Sequence, residues 1–182
     1  MKSRIFNEIQ NQNLMKETQG FKLYRLSDKT INILNNRIRD EYKAHYFYRA
    51  AANWCDDLNY KKASSFFTNE ANNELTHAEG IQKYMTGFNV IPTIQKTETI
   101  FDFENLPDII YGAYELELSL MKSYNKDSQI LLSDDITTFD FLTKYRELQK
   151  ESVVEYNDLI NALELIDKTD KFQVLYFEQT YL

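Results

Sequence analysis

Glu74-Leu75-Thr76-His77 lies within residues 67–85, where Phe67, Ala71, Ala78, Ile81, Tyr84 and Met85 recur at helical spacing. Residues three apart share one face of a helix, so Glu74 and His77 can hold one metal ion between them. Both fall on the apolar stripe, so they face other helices rather than water. An unpaired buried charge is expensive, and this E-x-x-H therefore demands partners at the same depth. The plainer reading is a surface Glu and a surface His in an acidic chain. Whether other helices bring carboxylates to the same level decides between the two.

The rest of the chain is suited to supply such helices. With 4 Gly and 2 Pro in 182 residues, breakers and turn formers are scarce, which predicts one domain of long helices with short connections. A first helix is expected from Ser27, an N-cap, to about Asp56–Asn59. Its stripe reads Ile31, Leu34, Ile38, Glu41, His45, Tyr48 and Ala52, polar in the middle. The second helix runs from about Tyr60 to Tyr84 or Met85, with Gly87 as the residue that closes it. Residues 88–105 form a connection long enough to cross a bundle and join two parallel helices. A third helix starts at Leu106-Pro107 and carries Ile109, Ile110, Ala113, Tyr114, Glu117, Leu120, Met121 and Tyr124 on its stripe. Residues 125–135 read as a polar connection ending in an N-terminal signal at Ser133-Asp134-Asp135. The fourth stripe is Ile136, Phe139, Leu142, Tyr145, Gln149, Ser152, Tyr156, Leu159, Leu163 and Ile166. The tail, residues 172–182, reads as a short fifth helix or an extended segment.

Several classes are excluded by composition. The single Cys55 rules out an internal disulfide framework and fits a reducing, cytoplasmic setting. No apolar run of about 18 residues exists, so no transmembrane helix and no membrane partner are expected. No secretory signal is visible. A net charge of -7 argues against nucleic acid as the main partner and is compatible with cations. Residues 1–25 differ from the rest in carrying five basic and two acidic residues. They read as an N-terminal arm, with Ile5, Phe6, Ile9, Leu14 and Met15 on a short amphipathic helix broken at Gly20, preceding a domain over 26–182.

Each of the four long helices thus places a polar residue at mid-length on its inner stripe: Glu41, Glu74 with His77, Glu117, and Gln149. Inward carboxylates with E-x-x-H are how four-helix bundles bind two iron ions. Oxygen-rich ligands with one imidazole suit Fe(II), and also accept Mn or Zn. From about Leu26 onward the chain resembles the non-haem ferritins, nearest the bacterial type. The resemblance rests on RDEYKAHYFYRAAANWCDD, NNELTHAEGIQKYMTGFNVIP, YELELSLMKS, FDFLTKYRELQKE and the closing VLYFEQTYL.

The resemblance implies an all-α, ferritin-like four-helix bundle with a long crossover between helices two and three. It implies a ferroxidase that oxidises Fe(II) with O2 or peroxide and stores ferric mineral inside a homo-oligomeric shell of twenty-four subunits. Glu41, Glu74 and His77 would hold one iron. Glu74, Glu117 and Gln149 would hold the second, with Glu74 bridging and Tyr48 beside the pair. Gln149-Lys150-Glu151-Ser152 is not a second E-x-x-H, which separates the chain from bacterioferritin- and rubrerythrin-type sites. No methionine stands at the haem position, so no haem is expected. Of four glutamates that form a third iron site in bacterial ferritins, only Glu151 has a counterpart, against Asn73, Leu148 and Ser152. His45, one turn from Glu41, reads as an extra ligand or as a hydrogen-bond donor behind the ligands. Asp134, Asp135 and Asp140 read as lining a cation channel or as simple caps and solvated acids.

Two other functions fit the same residues: a ferritin-like bundle with a scaffold role, whose inner polar groups form a hydrogen-bond network, and a di-iron oxidase acting on an organic substrate. Gln149 in place of Glu or His weakens the second ion's hold and favours transit of iron over a permanent cofactor.

Overall fold

The computed structural model describes residues 23–97 and 101–182. The short helix expected through Ile5 and Met15 lies outside these residues. The described chain folds into α1 (Asp28–Asp57), α2 (Lys61–Gly87), α3 (Leu106–Asp134), α4 (Ile136–Leu163) and α5 (Lys171–Tyr181), with no strand among the described residues. The all-α bundle and its long crossover are as the sequence predicts, and the tail resolves to a helix.

Local chemistry sets the helix ends. Ser27 Oγ accepts from Thr30 N at 3.1 Å and starts α1. Asn105 Oδ1 accepts from Asp108 N at 2.9 Å and starts α3, with Pro107 in the first turn where its missing N–H does no harm. The left-handed residues that turn the chain after α1 and α2 are Asn59 (φ 65) and Asn89 (φ 60). Gly87, expected to close α2, is instead its last helical residue.

The expected polar connection over 125–135 is not one. α3 runs unbroken to Asp134, because Tyr124, Ser128 and Leu131 continue its buried stripe while the polar residues between them face outward or pair. Arg146 Nη1 donates to Ser128 Oγ at 2.6 Å, and Arg37 pairs with Asp127 at 3.1 Å. The link to α4 is Asp135 alone, whose Oδ1 accepts from Thr138 N at 3.0 Å. Ile136, placed on the inner stripe by its spacing, is 55% exposed; the buried stripe of α4 begins at Thr138.

Contacts along the helices fix their directions. Partners on α1 and α3 run in opposite order, Glu41 with Tyr124 and Tyr48 with Glu117. Those on α2 and α4 do the same, Tyr84 with Thr138 and His77 with Tyr145. With α1–α2 and α3–α4 as antiparallel hairpins, α2 and α3 are therefore parallel. The crossover that joins them follows α1: Thr93 N donates to Asn35 Oδ1 at 2.9 Å, and the Phe101 and Phe103 rings meet Phe47 edge-on.

The core is in two parts. One surrounds Tyr48, Phe67, Ile109, Ile110, Tyr156 and Phe177, and the other surrounds Leu34, Ile38, Ile81, Met85, Tyr124 and Leu142. Between them lies a belt of buried polar side chains, Glu41, Glu74, Glu117 and Gln149, all at most 2% exposed.

Candidate metal centre

The belt gathers one residue or more from each long helix. Glu41 comes from α1, Glu74 and His77 from α2, Glu117 from α3 and Gln149 from α4. His77 Nδ1 lies 3.2 Å from Glu74 Oε2 and 3.6 Å from Glu41 Oε2. One ligand atom from each of Glu41, Glu74 and His77 falls within 4.8 Å of the others, a spacing that one ion can satisfy. Glu41 Oε2 is fully buried and has no hydrogen-bond partner. An orphaned carboxylate oxygen beside an imidazole and a second carboxylate is a donor set lacking its acceptor of electron pairs, and it fits a divalent cation.

The other half of the belt is satisfied within the protein. The Tyr48 hydroxyl donates to Glu117 Oε1. With its amide nitrogen turned toward α3, Gln149 donates to Glu117 Oε2 at 2.8 Å and to the Glu117 carbonyl at 3.3 Å. Tyr156 stacks on Tyr48 with ring centres 6.3 Å apart, and its buried hydroxyl has no partner.

Crowding three carboxyls in a dry interior moves their proton affinities apart. Burial, with the charge on Glu41, raises Glu74 well above the usual carboxylate range. Burial also lifts Glu117 to about 8, against the hydrogen bonds from Tyr48 and Gln149. For Glu41 burial pulls upward too, but the neighbouring His77 imidazole and Glu74 carboxyl outweigh it and, with the Tyr124 hydroxyl, hold the group low. The cluster therefore holds protons that an incoming cation must displace.

The remaining candidates stand apart from this group. The half-buried His45 directs Nδ1 to the Ala71 carbonyl at 2.6 Å, tying α1 to α2 one turn from Glu41. Glu151 is exposed on α4. Asp134 pairs with Lys29 at 2.6 Å, Asp135 caps α4, and Asp140 is exposed.

Two more tyrosines complete the surroundings, and sequence reasoning gave both only as core members. Tyr124 donates to Glu41 Oε1. Tyr145 stacks on Tyr124 at 5.8 Å and meets the His77 ring edge-on at 5.8 Å. The available signal was position: Tyr124 follows Glu117 by seven residues and so lies on the same stripe.

Fold and site together define a four-helix bundle with an inward carboxylate and histidine cluster. The chain belongs to the ferritin family: its ferritin-like domain matches residues 31–166. The bacterial non-heme ferritin of Escherichia coli is 25% identical over 154 residues, covering 84% of this chain and 92% of that protein. The bacterial non-heme ferritin of Campylobacter jejuni is 27% identical over 143 residues, covering 78% and 86%. Among solved structures, the open pore ferritin of the archaeon Archaeoglobus fulgidus superposes with a TM-score of 0.80 at 22% identity, covering 86% of this chain and 97% of that one. A humanized archaeal ferritin gives 0.80 at 23% identity, covering 86% and 95%. These structural likenesses establish the fold.

Proposed function

We propose that the chain stores iron and oxidises it on the way in, as a ferroxidase. Family and fold support iron storage in general. The observation that carries the finer reading is the Glu41, Glu74 and His77 cluster, ligand atoms within 4.8 Å of one another, in a buried belt shared with Glu117 and Gln149.

In this reading iron is the substrate. Glu41, Glu74 and His77 hold one Fe(II). Glu74, Glu117 and Gln149 hold the second, with Glu74 shared. Carboxylates can bridge two cations and change from one-oxygen to two-oxygen binding as the ions become ferric. Each Fe(II) passes an electron to O2 or peroxide, and Tyr48, already hydrogen-bonded to Glu117, is placed to supply another. Ferric product then leaves for a mineral inside a cage, which we take to be a shell of twenty-four copies in the cytoplasm. No helix among the described residues is long and apolar enough to cross a membrane. His45 acts from behind the ligands through the Ala71 carbonyl.

The test is to load metal-free protein with Fe(II) without oxygen, admit air, and follow ferric absorbance beside Glu74→Ala. Rapid oxidation by the native chain and the buffer rate for the variant support the reading. Equal rates would make the belt a structural hydrogen-bond network and give the scaffold reading precedence.

A further inference from the structure

The two oxygens of Glu41 are treated differently. Oε1 accepts the Tyr124 hydroxyl, whereas Oε2 has no hydrogen bond and faces His77 Nδ1 at 3.6 Å. Glu117, by contrast, has both oxygens engaged, by Tyr48 and by Gln149.

Tyr124 cannot easily swing away from this position. Its ring is fully buried and lies parallel to Tyr145, with an interplanar angle of 1°. The Arg37 guanidinium also lies over this ring, 5.4 Å from its centre. Arg37 is itself held by Asp40 at 2.9 Å and Asp127 at 3.1 Å, and is 6% exposed. The phenol is thus fixed by α1, α3 and α4 at once.

We propose that Tyr124 is a positioning residue that keeps Glu41 a one-oxygen metal ligand, by occupying Oε1 and leaving Oε2 as the donor atom. The inference rests on the reading of Glu41 as a ligand. A carboxylate free to rotate binds a divalent cation through both oxygens and fills two places around it, as flexible oxygen sites do. A carboxylate with one oxygen tied to a rigid donor fills one place, and the vacated place stays available to an oxidant or a neighbouring ion. Hydrogen-bonded partners of ligands commonly set ligand orientation in this way.

Co(II) is the probe, because its visible absorption is intense in four- or five-coordinate sites and weak in six-coordinate ones. The full-length metal-free protein is titrated with Co(II) in four forms: native, Tyr124→Phe, Tyr84→Phe and Glu74→Ala. Tyr124→Phe keeps the ring, its stacking and the Arg37 contact, and far-UV circular dichroism and the melting temperature check that the fold is kept. Its visible bands are expected to fall several-fold in intensity relative to the native complex. Tyr84→Phe removes a hydroxyl that bonds Thr138 Oγ1 at 2.9 Å, two turns along α2 from His77, and is expected to leave the bands as in the native protein; it serves as the control for a merely structural loss. Native-like bands in Tyr124→Phe would overturn the inference and leave the metal centre standing. Equal losses in the two tyrosine variants would overturn it as well, by showing a packing effect. Absence of bands from the native protein, or their persistence in Glu74→Ala, would overturn the reading of the site on which the inference rests.

Discussion

Glu178 of α5 caps the N-terminus of α2: its Oε1 accepts from Lys62 N at 2.7 Å and Ala63 N at 3.1 Å. Tyr60, the residue that precedes α2, offers no side-chain cap, so the first N–H groups of the helix would otherwise be unsatisfied. A carboxylate there also meets the positive end of the helix dipole. Glu178 is fully buried, and it fixes where the fifth helix docks. Glu178→Ala is expected to destabilise by about 2–4 kcal/mol, since it orphans two donors of charge-assisted bonds. Calorimetry should show a melting temperature roughly 5–10 °C lower, with Glu178→Gln closer to native. An unchanged melting temperature in the alanine variant would refute the cap's role.

Stability of the metal-free protein should depend on pH through the belt. The Glu117 carboxyl, raised by burial to about 8, keeps its proton in the folded chain. In the unfolded chain the same group ionises near ~4.3. Between those values the folded state binds more protons than the unfolded one, so stability falls as pH rises and levels off above the folded value. Glu74, also raised, acts in the same direction. Urea unfolding in chelator at several pH values between about 5 and 8 should show this fall, and Glu117→Gln should flatten it. A slope equal to the native one in the variant would exclude Glu117 as its source.

Cys55 should be inert in the folded protein. Burial first, and the Glu178 charge second, push its thiol up to about 12. At pH 8 only about one molecule in ten thousand carries the thiolate that reacts. A thiol reagent should therefore label nothing in native protein and one equivalent after denaturation. Fast labelling of the native chain would contradict the burial of Cys55.

Gly80 has a packing reason to be glycine. A Cβ there would meet the Tyr145 hydroxyl at 2.6 Å. Tyr145 is buried and held between Tyr124, Phe141 and His77, so it has little room to retreat. Gly80→Ala gains about 1 kcal/mol of helix propensity, but the clash should exceed it. The expected result is a net loss of stability, detected as an earlier urea midpoint. A stabilised variant would show that Tyr145 can move.

The architecture was legible because each stripe is long and its polar interruptions fall at matching depths. Glu41, Glu74, His77, Glu117 and Gln149 could be placed together from spacing alone. Contacts that depend on another helix were not legible. Tyr124 reads as an ordinary core aromatic until Glu41 is seen opposite it, and nothing in the sequence singles out Glu178 until it meets α2. The stretch 125–135 reads as a connection because most of its residues are polar, yet Arg37 on α1 pairs with Asp127 and Arg146 on α4 donates to Ser128. His45 reads as an extra ligand or as a donor behind the ligands, and only the α2 backbone could show that its Nδ1 meets the Ala71 carbonyl.

The parallel run of α2 and α3, imposed by the crossover, has a mechanical consequence. Glu41, Glu74 and His77 all belong to the first hairpin, while Glu117 and Gln149 belong to the second. In the proposed reading the first ion sits within the first hairpin, and only the second, shared by Glu74, Glu117 and Gln149, would act as a rivet driven through the join between two halves. Without it, the same join is stitched by the protein's own hydrogen bonds from one half to the other, Tyr48 to Glu117 and Tyr124 to Glu41.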